Sequence, residues 1–178
     1  MRNNSILSLL FSALLVLTGL TAAASAQNAE AQLFSSEFEI SGKAPVRYLE
    51  QDILDLINKE RQQNNLSPLT WDKRSADVAR AHSRDMGWNK FFNHRGLDGK
   101  MVNDRADAMG LADWQMIGEN IAMVAGYSDP IQHVVKGWMQ SPGHRKNILD
   151  PNWKETGIGI FITSEGTYYF TQVFLSRK

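Results

Sequence analysis

The order of apolar and polar residues along the chain predicts helices in its first part and strands at its end. From Val46 the apolar positions are spaced i, i+4, i+7 and i+8, which is typical of a helix face packed on a core. The pattern stops at Asn64-Asn65. We therefore predict an amphipathic helix over this stretch. Its inward positions are Leu49, Ile53, Leu56 and Ile57.

Three further helices are predicted by the residues at their ends. Asp72 precedes one of them, and its short carboxylate can cap the free amides of a first helical turn. A shorter helix within 101–109 is followed by Gly110, a residue type that tolerates the left-handed conformation at a helix end. Another helix is predicted from Ser128-Asp129-Pro130, where capping side chains precede a proline at the first helical position.

Towards the end of the chain the apolar spacing shortens to two residues, which predicts β-strands. The segment 158–162 alternates in this way, residues 169–174 do so again, and a turn is predicted between them. A further strand is predicted over 116–122. Helices followed by a terminal hairpin indicate an α+β fold, because each apolar sheet face needs a cover of helices.

Composition excludes several classes of protein. The 178 residues include 43% apolar residues, which is enough to fold around a core rather than remain disordered. The chain carries 19 basic and 19 acidic residues, so it is not a general polyanion binder and we expect no nucleic-acid partner. There is no cysteine, which excludes a disulfide framework, a thiolate metal site and a cysteine nucleophile.

The first residues have the features of an export signal. A basic Arg2 precedes an apolar run, and Ala24-Ser25-Ala26 supplies the small residues of a cleavage site. We predict a signal peptide over residues 1–26, a flexible linker over 27–46 and one domain over 47–178. The apolar run is short for a bilayer span, so a retained anchor is disfavoured. We expect a secreted protein, periplasmic or extracellular, with no stable membrane anchor after cleavage.

Three ionisable residues on or beside predicted turns are the candidates for chemistry. His94, Glu119 and His144 are residue types that can hold a divalent ion such as zinc, or that can transfer a proton. They lie 25 residues apart in the chain, so no local spacing brings them together. In the alternative interpretation, each residue has a local structural role at a loop or a helix end. His82 shares an inward helix face and is interpreted as a core histidine.

Several ordered segments together resemble the CAP superfamily of cysteine-rich secretory, antigen 5 and pathogenesis-related proteins, in its cysteine-free bacterial extracellular branch. The resemblance runs from about Leu49 to Leu175. It implies a three-layer α-β-α sandwich with a central antiparallel sheet and an open cleft. The segments that carry it are LDLINKERQQNNLSPLTWD, AHSRDM, FFNH, GENIA, GWMQSPGHRKNIL, TGIGIFI and YYFTQVF.

The resemblance also implies a set of cleft residues. Family members of the eukaryotic type carry two histidines and two glutamates there, and His94 and Glu119 match one of each. Tyr169 stands at the position of the second histidine, and the second glutamate falls near Gln140 or Ser141, neither of which is acidic. His144 could reach into the cleft in place of the missing histidine. We expect Tyr169, Asn120 and Ser141 to line the cleft.

Two functions are compatible with these residues. The first is a non-enzymatic binding module whose cleft takes a divalent metal and a small amphiphile, lipid or peptide, as the resemblance implies. The second is a metal-assisted hydrolase in which His94 and His144 hold the ion and Glu119 accepts a proton from water. We expect the binding module, because the chain has neither an HExxH sequence nor a nucleophile elbow. A purely structural envelope protein is a third possibility.

Overall fold

The computed structural model describes residues 46–178, and the predicted signal peptide and nearly all of the predicted linker lie outside these residues. Helices predominate in the first part of the described chain, and its last two elements are strands. The helices are α1 Val46–Gln63, α2 Lys73–Trp88, α3 Val102–Ala108, α4 Pro130–Gln140 and α5 Pro142–Ile148. The strands are β1 Thr70–Trp71, β2 Trp114–Val124, β3 Glu155–Ile162 and β4 Tyr168–Arg177.

The predicted helix ends are confirmed by the capping contacts. The Asp72 carboxylate accepts a hydrogen bond from the amide of Ser75, and α2 begins at the next residue after Asp72. Asp129 does the same for α4 through the amide of Gln132, with Pro130 as the first helical residue. Gly110 follows α3 with a φ of +74°, which is the left-handed conformation that glycine adopts without strain.

Two elements were not predicted from the periodicity. Helix α5 follows α4 after a single residue, Ser141, whose backbone is extended (φ −87°, ψ 119°). The residue before a proline avoids the helical region, so Pro142 ends one helix and opens the next. Strand β1 has only two residues and pairs in parallel with β3, through Thr70 opposite Glu155. Such a short strand leaves no alternation to detect.

The sheet has the strand order β1-β3-β4-β2. Strands β3 and β4 form the predicted antiparallel hairpin, with Ile160 opposite Phe170. Strand β2 pairs antiparallel with the other side of β4, with Glu119 opposite Val173. The central sheet is therefore antiparallel except for the short β1, and β2 occupies one edge.

Helices cover both faces of this sheet, which confirms the α-β-α sandwich. On one face α1, α4 and α5 bury a large apolar cluster that includes Trp138, Ile53 and Phe170. On the other face α2 and α3 pack on Val173 and Leu175. Helix α2 lies so close to β3 that a Cβ on Gly159 would come 2.1 Å from the backbone nitrogen of Arg80. Glycine in β3 is therefore required for this contact. Within residues 46–178 no helix has the length and apolar content to cross a bilayer.

Candidate functional site

The edge strand β2 places Glu119 and Asn120 on opposite sides of the sheet. Successive strand residues point to opposite faces. Glu119 accordingly contacts residues of α3 and of the loop before it, whereas Asn120 contacts α5. Both residues are buried, with 8% of Glu119 exposed and none of Asn120. Both helical layers thus contact neighbouring residues of β2, each from its own face of the sheet.

The carboxylate of Glu119 is held by two side chains on the α3 side. His94 Nδ1 lies 2.7 Å from Oε1, and the Arg105 guanidinium donates to Oε2 at 2.5 Å. Arg105 also donates to the backbone oxygen of His94 at 2.9 Å, so it fixes the loop that carries the imidazole. The Glu119 side chain is only 4% exposed. A buried carboxylate requires a positive partner, and Arg105 provides it.

These contacts assign the tautomer of neutral His94. An ionised carboxylate only accepts hydrogen bonds, so the proton of the neutral ring resides on Nδ1. Nε2 is then left with its lone pair. The His94 side chain is 43% exposed, and the Glu119 side chain behind it is almost completely buried. The arrangement is a carboxylate that orients an imidazole whose other nitrogen remains available.

His144 approaches the same region from the other helical layer. It lies on α5, half-buried, with its ring 6.5 Å from the ring of Trp138. Burial lowers the pKa of His144, and positive charge on His94 lowers it further. His144 is therefore a neutral base at neutral pH.

Side chains from α4 and α5 bind the edge of β2 and hold His144 in place. Asn147 donates to the side-chain oxygen of Asn120 at 2.9 Å and to the backbone oxygen of Glu119 at 3.2 Å. Asn120 in turn donates to the backbone oxygen of His144 at 3.2 Å. Trp138 Nε1 donates to the backbone oxygen of Ile121. Outward carbonyls of an edge strand are thereby satisfied without another strand.

Two residues of this site were missed by the sequence analysis. Arg105 was identified only as part of a short helix, and Asn147 was not considered. Arg105 meets Glu119 across 14 positions of the chain and Asn147 meets it across 28. No spacing rule separates this arginine or this asparagine from the others in the chain. The local composition of α3 and α5 held no signal for either contact.

Of the other expected cleft residues, Tyr169 lies further along the sheet from Glu119. Tyr169 is 7% exposed and packs with Met86 and Ile121, in a cluster under α2. It stands four residues along β4 from Val173, the partner of Glu119, which is about 13 Å along a strand. Ser141 is half-exposed at the junction of α4 and α5, and its side chain makes no capping hydrogen bond. Asn120 is the expected lining residue that the structure brings to His144.

The predicted metal ligands can be tested against this geometry. Within residues 46–178 no group of three or more His, Cys, Asp or Glu side chains has an arrangement that could hold a metal ion. Both oxygens of Glu119 are already engaged, by His94 and by Arg105. As they lie in this structure, His94, Glu119 and His144 do not fit as three ligands of one ion. The groups left available are the two imidazoles.

Comparison with known proteins identifies the family. The family model for the cysteine-rich secretory protein (CAP) family matches residues 54–174. Two Bacillus subtilis proteins are similar: the uncharacterized membrane protein YlbC is 38% identical over 128 residues, and the uncharacterized protein YkwD is 36% identical over 137. These matches cover 72% and 77% of this chain but only 34% and 51% of the two relatives.

Solved structures agree with this assignment. An extracellular protein with an SCP domain from Bacillus anthracis is 37% identical, with a TM-score of 0.62 over 74% of this chain and 41% of its own. An outer surface protein from Borrelia burgdorferi is 21% identical, with a TM-score of 0.67 over 76% of this chain and 98% of its own, and shows the fold alone. The sequence segments, the three-layer sandwich and the match to the family model agree. The chain belongs to the cysteine-rich secretory protein (CAP) family.

Proposed function

We propose that this CAP-domain protein is an exported, non-enzymatic binding module whose recognition groups are the imidazoles of His94 and His144. The observation that carries the proposal is the 2.7 Å contact between Glu119 and His94 Nδ1, which leaves His94 Nε2 available. Export is supported by the signal-like first residues and by the extracellular Bacillus anthracis relative.

Glu119 acts in this proposal as a positioning residue. A carboxylate that binds one imidazole nitrogen orients the ring and raises the basicity of the other nitrogen, as in carboxylate–histidine–metal groups. Arg105 holds the second carboxylate oxygen and compensates its charge. A divalent ion bound here would have two imidazole ligands, and its remaining ligands would come from water or from the bound molecule.

The molecule bound by the cleft is a small amphiphile or a peptide in this proposal. Polar recognition comes from the two imidazoles. Apolar contact comes from Phe92, which lies two residues before His94 and is 46% exposed. Large exposed aromatic side chains beside a few polar groups are typical of sites for small ligands.

The hydrolase hypothesis finds less support in the geometry. It requires Glu119 to accept a proton from water, yet His94 and Arg105 occupy both of its oxygens. Accepting that proton would break one of these contacts and leave the Arg105 charge without its buried partner. A general base must also lie within hydrogen-bonding reach of its proton donor. A binding role keeps both contacts to Glu119, so the Arg105 charge retains its buried partner.

Zinc titration by calorimetry tests the proposal. We expect binding at neutral pH that weakens sharply below about pH 6, because the imidazole ligands must be unprotonated to bind the ion. His94→Ala and His144→Ala should each remove the binding, since either change leaves a single ligand. Glu119→Gln should weaken the affinity by about 10–100-fold, because only the orientation of His94 is lost.

His133→Ala is the matched control. His133 lies on α4, where its ring stacks on Tyr127 at 3.5 Å, and it has no contact with Glu119. The zinc isotherm of this variant should equal that of the wild type. An isotherm unchanged by His94→Ala and His144→Ala would show that these imidazoles are not the recognition groups.

A further inference from the structure

A separate cavity, which we call the turn cavity, lies between the end of α2 and the turn that joins β3 to β4. Its volume is about 500 Å³, within the range of small-ligand sites. Trp88 and Lys90 line one wall, and Thr163, Ser164 and Glu165 of the turn line another. The binding role proposed for the two imidazoles does not involve this cavity.

Trp88 supplies an open aromatic face to the turn cavity. It is the last residue of α2 and is 75% exposed, the highest value among the large apolar side chains of residues 46–178. Its ring therefore contributes little to the core. The face of an aromatic ring carries partial negative charge, which attracts C–H groups polarised by neighbouring oxygens. Trp88 is thus a platform on which a ring-shaped ligand can stack.

Lys90 gives the same cavity a cationic donor at a strained position of the backbone. The amide of Phe91 bonds to the oxygen of Met86 at 3.0 Å and closes the end of α2, with Lys90 between them at a φ of +56°. Glycine is the usual residue in this left-handed conformation, because a Cβ is strained there. Within residues 46–178 the Lys90 ammonium makes no hydrogen bond or ion pair. Strain kept for a side chain that the fold does not use points to a role in binding.

The turn gives the cavity an acidic group and several hydroxyls. Among the described residues of the lining, Glu165 is the one acid and Lys90 the one base, and Thr163, Ser164 and Thr167 carry hydroxyls. Hydrogen bonds from its own amide and from the Thr163 and Ser164 hydroxyls lower the pKa of Glu165, and the Lys90 charge lowers it slightly more. Glu165 is therefore ionised at neutral pH. The lining has no net charge and offers both donors and acceptors.

A saccharide matches this combination of groups. A pyranose ring has an apolar C–H face, and its edge bears hydroxyls that both donate and accept hydrogen bonds. An ammonium only donates and a carboxylate only accepts, so hydroxyls can pair with Lys90 and Glu165 alike. A flat aromatic ligand could stack but would leave these polar side chains unused. We propose that the turn cavity binds a saccharide, with a pyranose ring stacked on Trp88 and its hydroxyls hydrogen-bonded to Lys90 and to the turn.

Titration of the full chain, followed in ¹H–¹⁵N spectra, tests the saccharide site. The probes are cellotriose and triacetylchitotriose, whose equatorial substituents leave C–H groups on both ring faces, and benzamide is the flat aromatic control. The chain has five tryptophans, and the indole signal of Trp88 is the one that Trp88→Phe removes. We expect a trisaccharide to shift this signal with millimolar affinity. Benzamide should bind at least about tenfold more weakly, because it lacks the hydroxyls. The affinity for the trisaccharide should be nearly equal at about 50 and about 500 mM NaCl, because no charge on the ligand is recognised.

Two variants assign the contacts. Trp88→Ala should weaken binding at least about tenfold, and the fold should be retained because the side chain is exposed. Lys90→Gly should weaken binding about threefold or more, because a hydrogen bond to the ligand is lost. Its melting temperature should equal or exceed that of the wild type, because glycine relieves the left-handed strain. A purely structural role of Lys90 would not separate affinity from stability in this way.

Tyr127→Ala is the matched control. Tyr127 is 55% exposed and does not line the turn cavity, so this variant should bind as the wild type does. A Trp88 signal unmoved by either trisaccharide, binding that survives Trp88→Ala, or wild-type affinity in Lys90→Gly would each overturn the proposal. So would affinity that falls steeply with salt, or benzamide that binds as tightly as the trisaccharides.

Discussion

At the scale of single residues, the site depends on a buried charge that is compensated by contacts from distant parts of the chain. Glu119 has a side-chain exposure of 4%, and its charged partner Arg105 has 11%. Desolvation of such a pair consumes much of its attraction, so the pair is more important for positioning than for net stability. Removing one partner lowers stability, because the other charge then remains buried without a compensating charge.

We therefore predict that Arg105→Met lowers the free energy of unfolding by about 3–5 kcal/mol. His94 is left as a partner for the Glu119 carboxylate, and it carries a compensating charge only when it is protonated. The double variant Arg105→Met/Glu119→Met should be more stable than Arg105→Met alone, because it contains no uncompensated charge. Urea denaturation measures both values.

The exposed pair of Lys73 and Asp77 supplies the control for this prediction. The Lys73 side chain is 80% exposed, so Lys73→Met should change stability by less than about 1 kcal/mol. If Arg105→Met/Glu119→Met were no more stable than Arg105→Met, Arg105 and Glu119 would not be coupled through their charges.

At the scale of elements, local chemistry explains which parts of the fold could be predicted. The caps at Asp72 and Asp129 and the alternation in the hairpin are contained within a few residues, and each predicted its element correctly. Helix α5 and strand β1 are too short for a period. The pairing of His94 with Glu119 required the whole sandwich, because β2 places the carboxylate and a separate loop places the imidazole. Residue type and predicted turns identified both residues as candidates, and only the resemblance implied that they share a cleft.

The contact between α2 and β3 permits a prediction at this scale. A Cβ on Gly159 would lie 2.1 Å from the Arg80 nitrogen and 2.3 Å from the Ala79 carbonyl carbon. Both atoms belong to helix backbone, which cannot move aside as a side chain can. Gly159→Ala should therefore destabilise the protein by about 3 kcal/mol or more, at or above the upper end of overpacking costs.

Gly137→Ala is the matched substitution. Gly137 lies within α4, and nothing lies within 4 Å of the Cβ position. Alanine there should raise stability by up to about 1 kcal/mol, because glycine is the poorer helix former. Thermal denaturation of the two variants should give melting temperatures on opposite sides of the wild type. Equal shifts would mean that α2 is free to move away from the sheet.

At the scale of the whole molecule, two neutral imidazoles are built into opposite helical layers. His82 lies on α2 and His144 on α5, and burial is the main cause that lowers the pKa of each. The negative charge of Glu119 opposes this effect at His82 without reversing it. The folded protein therefore resists protonation at both positions, whereas an unfolded chain does not.

This difference fixes the direction of the pH dependence. In the unfolded chain His82 and His144 titrate at about pH 6.5, and in the folded state the pKa of each is lower. Between the two values the unfolded state binds more protons, so the free energy of unfolding rises with pH and falls as acid is added. Urea denaturation at a series of pH values should show stability decreasing as pH falls through about 6.5. His82→Asn/His144→Asn should flatten this part of the profile, whereas His133→Asn, outside the core, should keep it. A wild-type stability that is constant or higher on the acid side would mean that the folded state accepts these protons.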